Sequence, residues 1–285
     1  MTTPALFDVQ TGERAGRTDR PSEDRILSTP SGDAVVVLDG VSTLSDDKPR
    51  GGWYAETLGR LLIDRLTTGA DAELPEILHD AIAEITRAYG LSPGASPAAT
   101  VSIVRVRGQQ VEAAVLGDSP VVVIGHDGYE DVHTDTRLAT LVESWPQAAL
   151  YRRRLADGTG FDDQHRQLLR ELRDEQMAWI NEPGGYWVAE AVPEAGHQAR
   201  TASWPLADVA QILIATDGVS SAVDDYRLYT WPKIAAACRT KGGPQAVVDD
   251  VHLIEQRDPN GRAFPRYKLS DDKVLASLAP VRSDE

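Results

Sequence analysis

The sequence holds one cysteine in 285 residues. An internal disulfide is therefore impossible and a cysteine-rich zinc site is excluded, which suits a reducing compartment and no disulfide-linked partner. Long apolar runs are missing too. None approaches the roughly 20 residues needed to cross a bilayer, and the opening MTTPALFDVQTGERAGRTDR lacks the basic-then-apolar order of a signal peptide. A cytoplasmic chain with no membrane partner is expected. Basic charge is in short supply: 29 Lys plus Arg stand against 44 Asp plus Glu, a formal charge of −15. A nucleic-acid surface that tracks phosphates has little support from such a balance, whereas the surplus carboxylates suit divalent cations.

Missing motifs narrow the chemistry further. No GxxxxGK[ST] phosphate loop and no HExxH occur, so P-loop nucleotide hydrolysis and zinc proteolysis both lack their parts. A cysteine phosphatase needs Cys-x5-Arg to cradle phosphate around a thiolate. Cys238 has Pro244 where that arginine would stand, and it reads as a small core residue of the helix IAAACR. The six histidines include no i, i+4 pair, and each is read as structural or solvated.

What is present is an alternation of apolar runs and helical stripes. The run AVVVLD at 34–39 is expected to be a buried strand, and residues 53–66 and 74–89 to be helices carrying Leu58, Leu61, Leu62 and Leu66, then Leu74, Ile77, Leu78, Ile82 and Ile85. Four short runs at 100–106, 110–116, 119–124 and 129–133 follow at spacings that favour antiparallel pairing. A charged helical stretch is expected over about 135–182, where Phe161, His165, Leu168, Leu169, Leu172, Gln176, Trp179 and Ile180 recur at helical spacing. Strands are expected again at about 185–190, 198–204 and 209–216, helices at 230–239 and 243–257, and a last strand at 273–278. With 41% hydrophobic residues, the chain is expected to form one compact domain over 1–285.

Acidic residues gather at the ends of these runs. Glu23 and Asp24 precede a strand in RPSEDRIL, Asp39-Gly40 ends AVVVLD, Asp118 sits in GDS, Asp217-Gly218 ends ILIATD, and Asp271-Asp272 opens the last strand. Taken singly, each is an ordinary turn or cap. Together they match the need of a two-ion magnesium or manganese site, which takes hard oxygen ligands from several strand ends and leaves positions for water. Glycine after Asp39 would let a backbone carbonyl approach an ion.

The ordered set of SED at 22–24, DG at 39–40, ASPAATVSIV at 95–104, GDS at 117–119, TDG at 216–218 and DDKV at 271–274 resembles the metal-dependent protein phosphatases of type 2C. The resemblance spans about residues 16–279 and rests on the order, since no single motif is specific. It implies an α+β fold, a four-layer αββα sandwich of two antiparallel sheets flanked by helices, with a helical flap at about 135–182. It implies two Mn2+ or Mg2+ ions at one edge. Asp39 would bridge them, Asp217 and Asp271 would hold one, Glu23 and the Gly40 carbonyl would help hold the other, and Asp24 would support. A metal-bridging water would then attack the phosphorus of a phosphoserine or phosphothreonine in a protein substrate.

This chain departs from the family at several points. Ser22 stands where asparagine is usual, Pro120 where arginine follows GDS, and Val274 where threonine or serine is usual. A weak third ion would use Asp118, but Ser221 stands where a further acid is usual. The phosphate-binding arginine is Arg20 or Arg17, neither at the usual spacing. Two readings stay open: an active serine/threonine phosphatase, or a pseudophosphatase acting as a phosphoprotein-binding or regulatory module.

Overall fold

The computed structural model describes residues 6–41, 51–69 and 71–281. Two five-stranded antiparallel sheets lie face to face. One orders its strands β1 (Phe7–Arg14), β10 (Lys273–Pro280), β9 (Val209–Ala215), β6 (Val121–Gly125) and β7 (Glu130–His133). The other orders β2 (Arg25–Ser28), β3 (Ala34–Val41), β4 (Ala98–Arg107), β5 (Gln110–Leu116) and β8 (Arg200–Pro205). The expected four-layer sandwich is what the chain forms.

Period-two alternation explains why the central strands are apolar on both faces. In β3, Val35 and Val37 meet Ile212, Ile214, Val274 and Ala276 between the sheets. Val36 and Leu38 point the other way, onto α1 (Gly51–Thr68) and α2 (Leu74–Tyr89). In β9, Leu213 and Ala215 turn outward to α7 (Trp231–Cys238) and α8 (Gly243–Arg257). Cys238 is buried in that outer layer, as its helix predicts, and burial pushes its thiol up to about 11.

Between β7 and β8 the expected helical stretch forms three helices: α3 (Arg137–Glu143), α4 (Pro146–Ala156) and α5 (Asp163–Met177). Pro146 opens α4 at a position where its missing N–H costs nothing. Gly158 and Gly160 adopt positive φ and break the chain before α5, whose first turn is capped by Asp162 accepting from the His165 amide at 2.7 Å. The helices pack on one another through Val142, Tyr151, Leu155, Leu168 and Leu172. They also grip the loop before β10: buried His165 lies 3.0 Å through Nε2 from the Tyr267 carbonyl, and Tyr151 packs on the Tyr267 ring.

Two strand assignments differ from expectation. Residues 185–190 form no strand; after the turn at Gly184 they meet β4 through the isolated Ala99–Ala189 bridge and through Tyr186 and Val188, which pack with Ala98. Their apolar character is explained by burial of Tyr186, Val188 and Ala189 rather than by sheet pairing. Strand β1 was not expected, because FDVQTGER mixes polar and apolar positions; it occupies an edge and pairs with β10 along its length. Of the polar loop expected over STLSDDKPRGG, residues 42–50 lie outside the described residues, while Gly51 and Gly52 belong to the first turn of α1.

Candidate active site

Register brings the acidic tips to one end of the sandwich. Arg25 pairs with Leu38, so Asp24 at the mouth of β2 lies next to Asp39 near the end of β3. Ala215 pairs with Leu275, so the residues after β9 meet those before β10. There the Thr216 amide donates to the Val274 carbonyl at 3.1 Å and the Val274 amide donates to Thr216 Oγ1 at 3.0 Å. Asp217 begins a short helix, α6 (Asp217–Asp224), which the sequence reading did not foresee. Gly218 is required here, since a Cβ would run into the Asp272 carbonyl oxygen. Gly40 is fixed for a similar reason: its Cβ would lie 2.7 Å from the Glu23 carbonyl oxygen and 2.6 Å from the Gly51 carbonyl carbon.

Asp24, Asp39, Asp217 and Asp271 form one electrostatic group. Asp39 is held well above the ordinary carboxyl range by burial first, then by Asp24, Asp217 and Asp271. Asp24 is raised likewise by burial and then Asp217, with a Thr216 hydrogen bond pulling it partly back. The Asp217 side chain is open to solvent yet hemmed in by protein; that enclosure and then Asp271 push its carboxyl up to about 7, while a hydrogen bond with Asp39 works the other way. Asp24 Oδ2 is buried with no hydrogen-bond partner. Four carboxyls that act on one another electrostatically, one with an orphaned buried oxygen, are a donor set suited to a hard divalent cation.

The other expected residues fall around this group. The Glu23 carboxylate accepts from the Gly52 amide at 3.4 Å, and the Glu23 amide donates to Asp272 Oδ2 at 2.8 Å. Asp118 is raised by burial first, with Asp135 adding to it, and its charge is felt at Asp217. Ser221, one turn along α6 from Asp217, turns its hydroxyl back on the Gly218 carbonyl at 3.5 Å. Arg17 is paired with Asp19 at 2.5 Å, while Arg20 is exposed.

Two lysines escaped the sequence reading, and Asp272, named there only among the acidic tips, has a role of its own. Lys268 Nζ sits 2.7 Å from Asp271 Oδ1. Enclosure disfavours its charge, but Asp271, Asp217 and Asp39 outweigh that and hold its pKa above the ordinary lysine value. Asp272 anchors the entry loop, accepting from the Gly16 and Glu23 amides at 2.8 Å each. Lys273 is fully buried and donates to Glu255 Oε2 at 2.7 Å and to the Asp271 carbonyl at 2.8 Å, with Tyr226 and Ser270 completing the network on Glu255. The i, i+3 spacing of Lys268 and Asp271 is a usable signal only once the loop between α8 and β10 is known to turn back on the site.

A family model described as protein phosphatase 2C matches residues 11–249. Among solved structures, PppA, a key regulatory component of T6SS in Pseudomonas aeruginosa, is 15% identical with a TM-score of 0.58, covering 98% of this chain and 99% of that one. The serine/threonine phosphatase Stp1 from Staphylococcus aureus is also 15% identical, TM-score 0.58, covering 99% and 98%. The catalytic domain of the phosphatase PstP in complex with two manganese ions is 15% identical, TM-score 0.54, covering 97% and 99%. No curated protein matches the sequence.

Proposed function

Because the chain belongs to the protein phosphatase 2C family, we propose that it is a divalent-metal-dependent serine/threonine protein phosphatase acting on phosphoproteins in the cytoplasm. The observation that carries this reading is the convergence of Asp24, Asp39, Asp217 and Asp271 at one end of the sandwich, where burial first and neighbouring carboxylates second raise the carboxyls of Asp24, Asp39 and Asp217. Asp39, Asp217 and Asp271 would hold two manganese or magnesium ions, with Glu23 and the Gly40 carbonyl completing the shell and Asp24 behind them. Bound there, the ions would supply Lewis-acid stabilisation of phosphate charge and a more acidic water.

The chain's own residues set the geometry. Asp272 ties the Gly16 and Glu23 amides together, so the entry loop and the β10 loop move as one. The buried Lys273–Glu255 pair fixes the Asp271 backbone from behind. Lys268, beside Asp271, and Arg20 or Arg17 would be the cations to face a phosphoryl group, Lys268 exchanging Asp271 for phosphate oxygens once ions neutralise the carboxylates. Asp118 stands beside Asp217 and would take part in a third ion only weakly, with Ser221 in place of a second acid. We read the chain as one catalytic domain, with α3–α5 as its substrate-selecting insertion.

A second reading rests on one contact. Lys268 pairs with Asp271 and supplies a resident cation among the carboxylates, which would suit a module that binds phosphoproteins without turning them over. Manganese-dependent hydrolysis of para-nitrophenyl phosphate separates the two. Activity that depends on manganese and falls at least about 100-fold in Asp39→Asn supports the enzyme; no manganese-dependent turnover in the wild type assigns the binding role.

A further inference from the structure

Two histidines far from the carboxylates meet on the opposite layer. The 3-10 turn Pro193–Gln198, which returns the chain from the helical insertion to β8, packs directly on α2. Gly196 permits this: a Cβ there would collide with the His79 backbone nitrogen and lie 2.7 Å from its Cα. The close approach lays His197 over His79, ring centroids 4.6 Å apart and planes 10° from parallel. Glu76, one helical turn earlier on α2, brings Oε1 within 3.2 Å of His197 Nε2. One ligand atom from each of Glu76, His79 and His197 lies within 4.8 Å of the others.

The surroundings orient these donors. Asp80 Oδ1 stands 3.1 Å from His79 Nδ1. A proton held on that nitrogen leaves Nε2 with the free lone pair, the arrangement by which a carboxylate commonly orients a metal-ligating imidazole. Two imidazoles and one carboxylate suit borderline divalent ions, in contrast to the all-oxygen set at the sheet ends, which suits magnesium or manganese.

We propose that Glu76, His79 and His197 form a second metal site, a two-histidine, one-carboxylate centre for zinc or a similar borderline transition ion. Metal–ligand bonds of about 2.0–2.2 Å around a tetrahedral ion set donors roughly 3.3–3.5 Å apart. The present spread would have to close by rotation of the side chains, for which Glu76 and His197, 63% and 42% exposed in their side chains, have room. The same exposure gives the ion a path from solvent. Bound, it would clip the end of the insertion to α2.

The test is zinc titration of the full-length chain, stripped of metal, in an Asp39→Asn/Asp217→Asn background that weakens the carboxylate centre. One zinc per chain is expected, with the ring resonances of His79 and His197 shifting together on addition. His79→Gln and His197→Gln, checked for native circular dichroism, should each weaken binding at least about tenfold, and Asp80→Asn should weaken it less. Unchanged zinc affinity in both glutamine variants overturns the assignment. So does the absence of any shift in the two ring signals at millimolar zinc, a measurement that needs no variant at these histidines to fold.

Discussion

Replacing Asp217 with asparagine is expected to stabilise the metal-free protein and to weaken its response to metal. The Asp217 carboxyl is pushed from an ordinary 3.8 up to about 7, chiefly by enclosure and by Asp271. Because the folded chain holds this proton more tightly than the unfolded chain, the stabilising contribution is full below about pH 4 and is lost as pH rises toward 7. Across roughly three pH units the complete linkage would amount to about 4 kcal/mol. Asp217 is solvent-exposed, so screening leaves about 1–2 kcal/mol. At about 2–4 °C per kcal/mol for a chain near this size, Asp217→Asn should melt about 2–8 °C above wild type in chelator at pH 8. The gap should nearly close by pH 4, where the folded wild-type carboxyl is protonated and the unfolded one partly so. Manganese should reverse the order: at a hundredfold excess over its dissociation constant it adds about 2.7 kcal/mol to a protein that binds it, and the amide gains less. Scanning calorimetry of both proteins, in chelator and in manganese at pH 4 and pH 8, reads all of this. Equal melting in chelator at pH 8, or a gap independent of pH, refutes the electrostatic account of the site.

Other substitutions probe other parts. Lys268→Ala should raise manganese affinity, read as a larger manganese-induced shift in melting temperature, by removing the ammonium that competes at Asp271; an unchanged shift would mean the ion pair is incidental. Lys273→Met leaves Glu255 charged and buried and should cost about 3–5 kcal/mol by urea unfolding, whereas Lys273→Met with Glu255→Leu should recover part of that loss. Changing Arg166, Arg170 and Arg173 on α5 to alanine should alter turnover of phosphopeptides more than of para-nitrophenyl phosphate; equal effects would deny the insertion a role in substrate choice.

The parts of the fold that were legible in the sequence are those whose pattern is local. Helix α2 spans Leu74–Tyr89 as its apolar stripe, Pro75 and Gly90 predict, with Gly90 in the left-handed conformation that ends it. Strands β3, β5 and β9 were legible because burial on both faces leaves continuous apolar runs. Edge strand β1 was hidden, since its stability comes from pairing with β10 rather than from its own residues. Residues 185–190 misled for the converse reason, being buried with isolated bridges in place of a strand ladder. At the site, the acidic tips could be named from the motif order, but the register that sets Asp24 beside Asp39 and the turn that carries Lys268 to Asp271 are long-range facts. The stacking of His79 on His197 is of the same kind, created by a glycine that no local pattern marks.

The grip of α4 and α5 on Tyr267 has a thermodynamic corollary. Tyr267 immediately precedes Lys268 in the loop that delivers Asp271, and it is held through its carbonyl by His165 and through its ring by Tyr151. Whatever displaces the insertion must therefore alter the free energy of the carboxylate group, and the dependence runs both ways. If a phosphoprotein docks on α5 and shifts this loop so that cations bind tenfold more tightly, cations must tighten docking by the same tenfold, about 1.4 kcal/mol in each direction. Substrate choice and ion affinity would then be two readings of a single equilibrium, and neither could be tuned by mutation without moving the other.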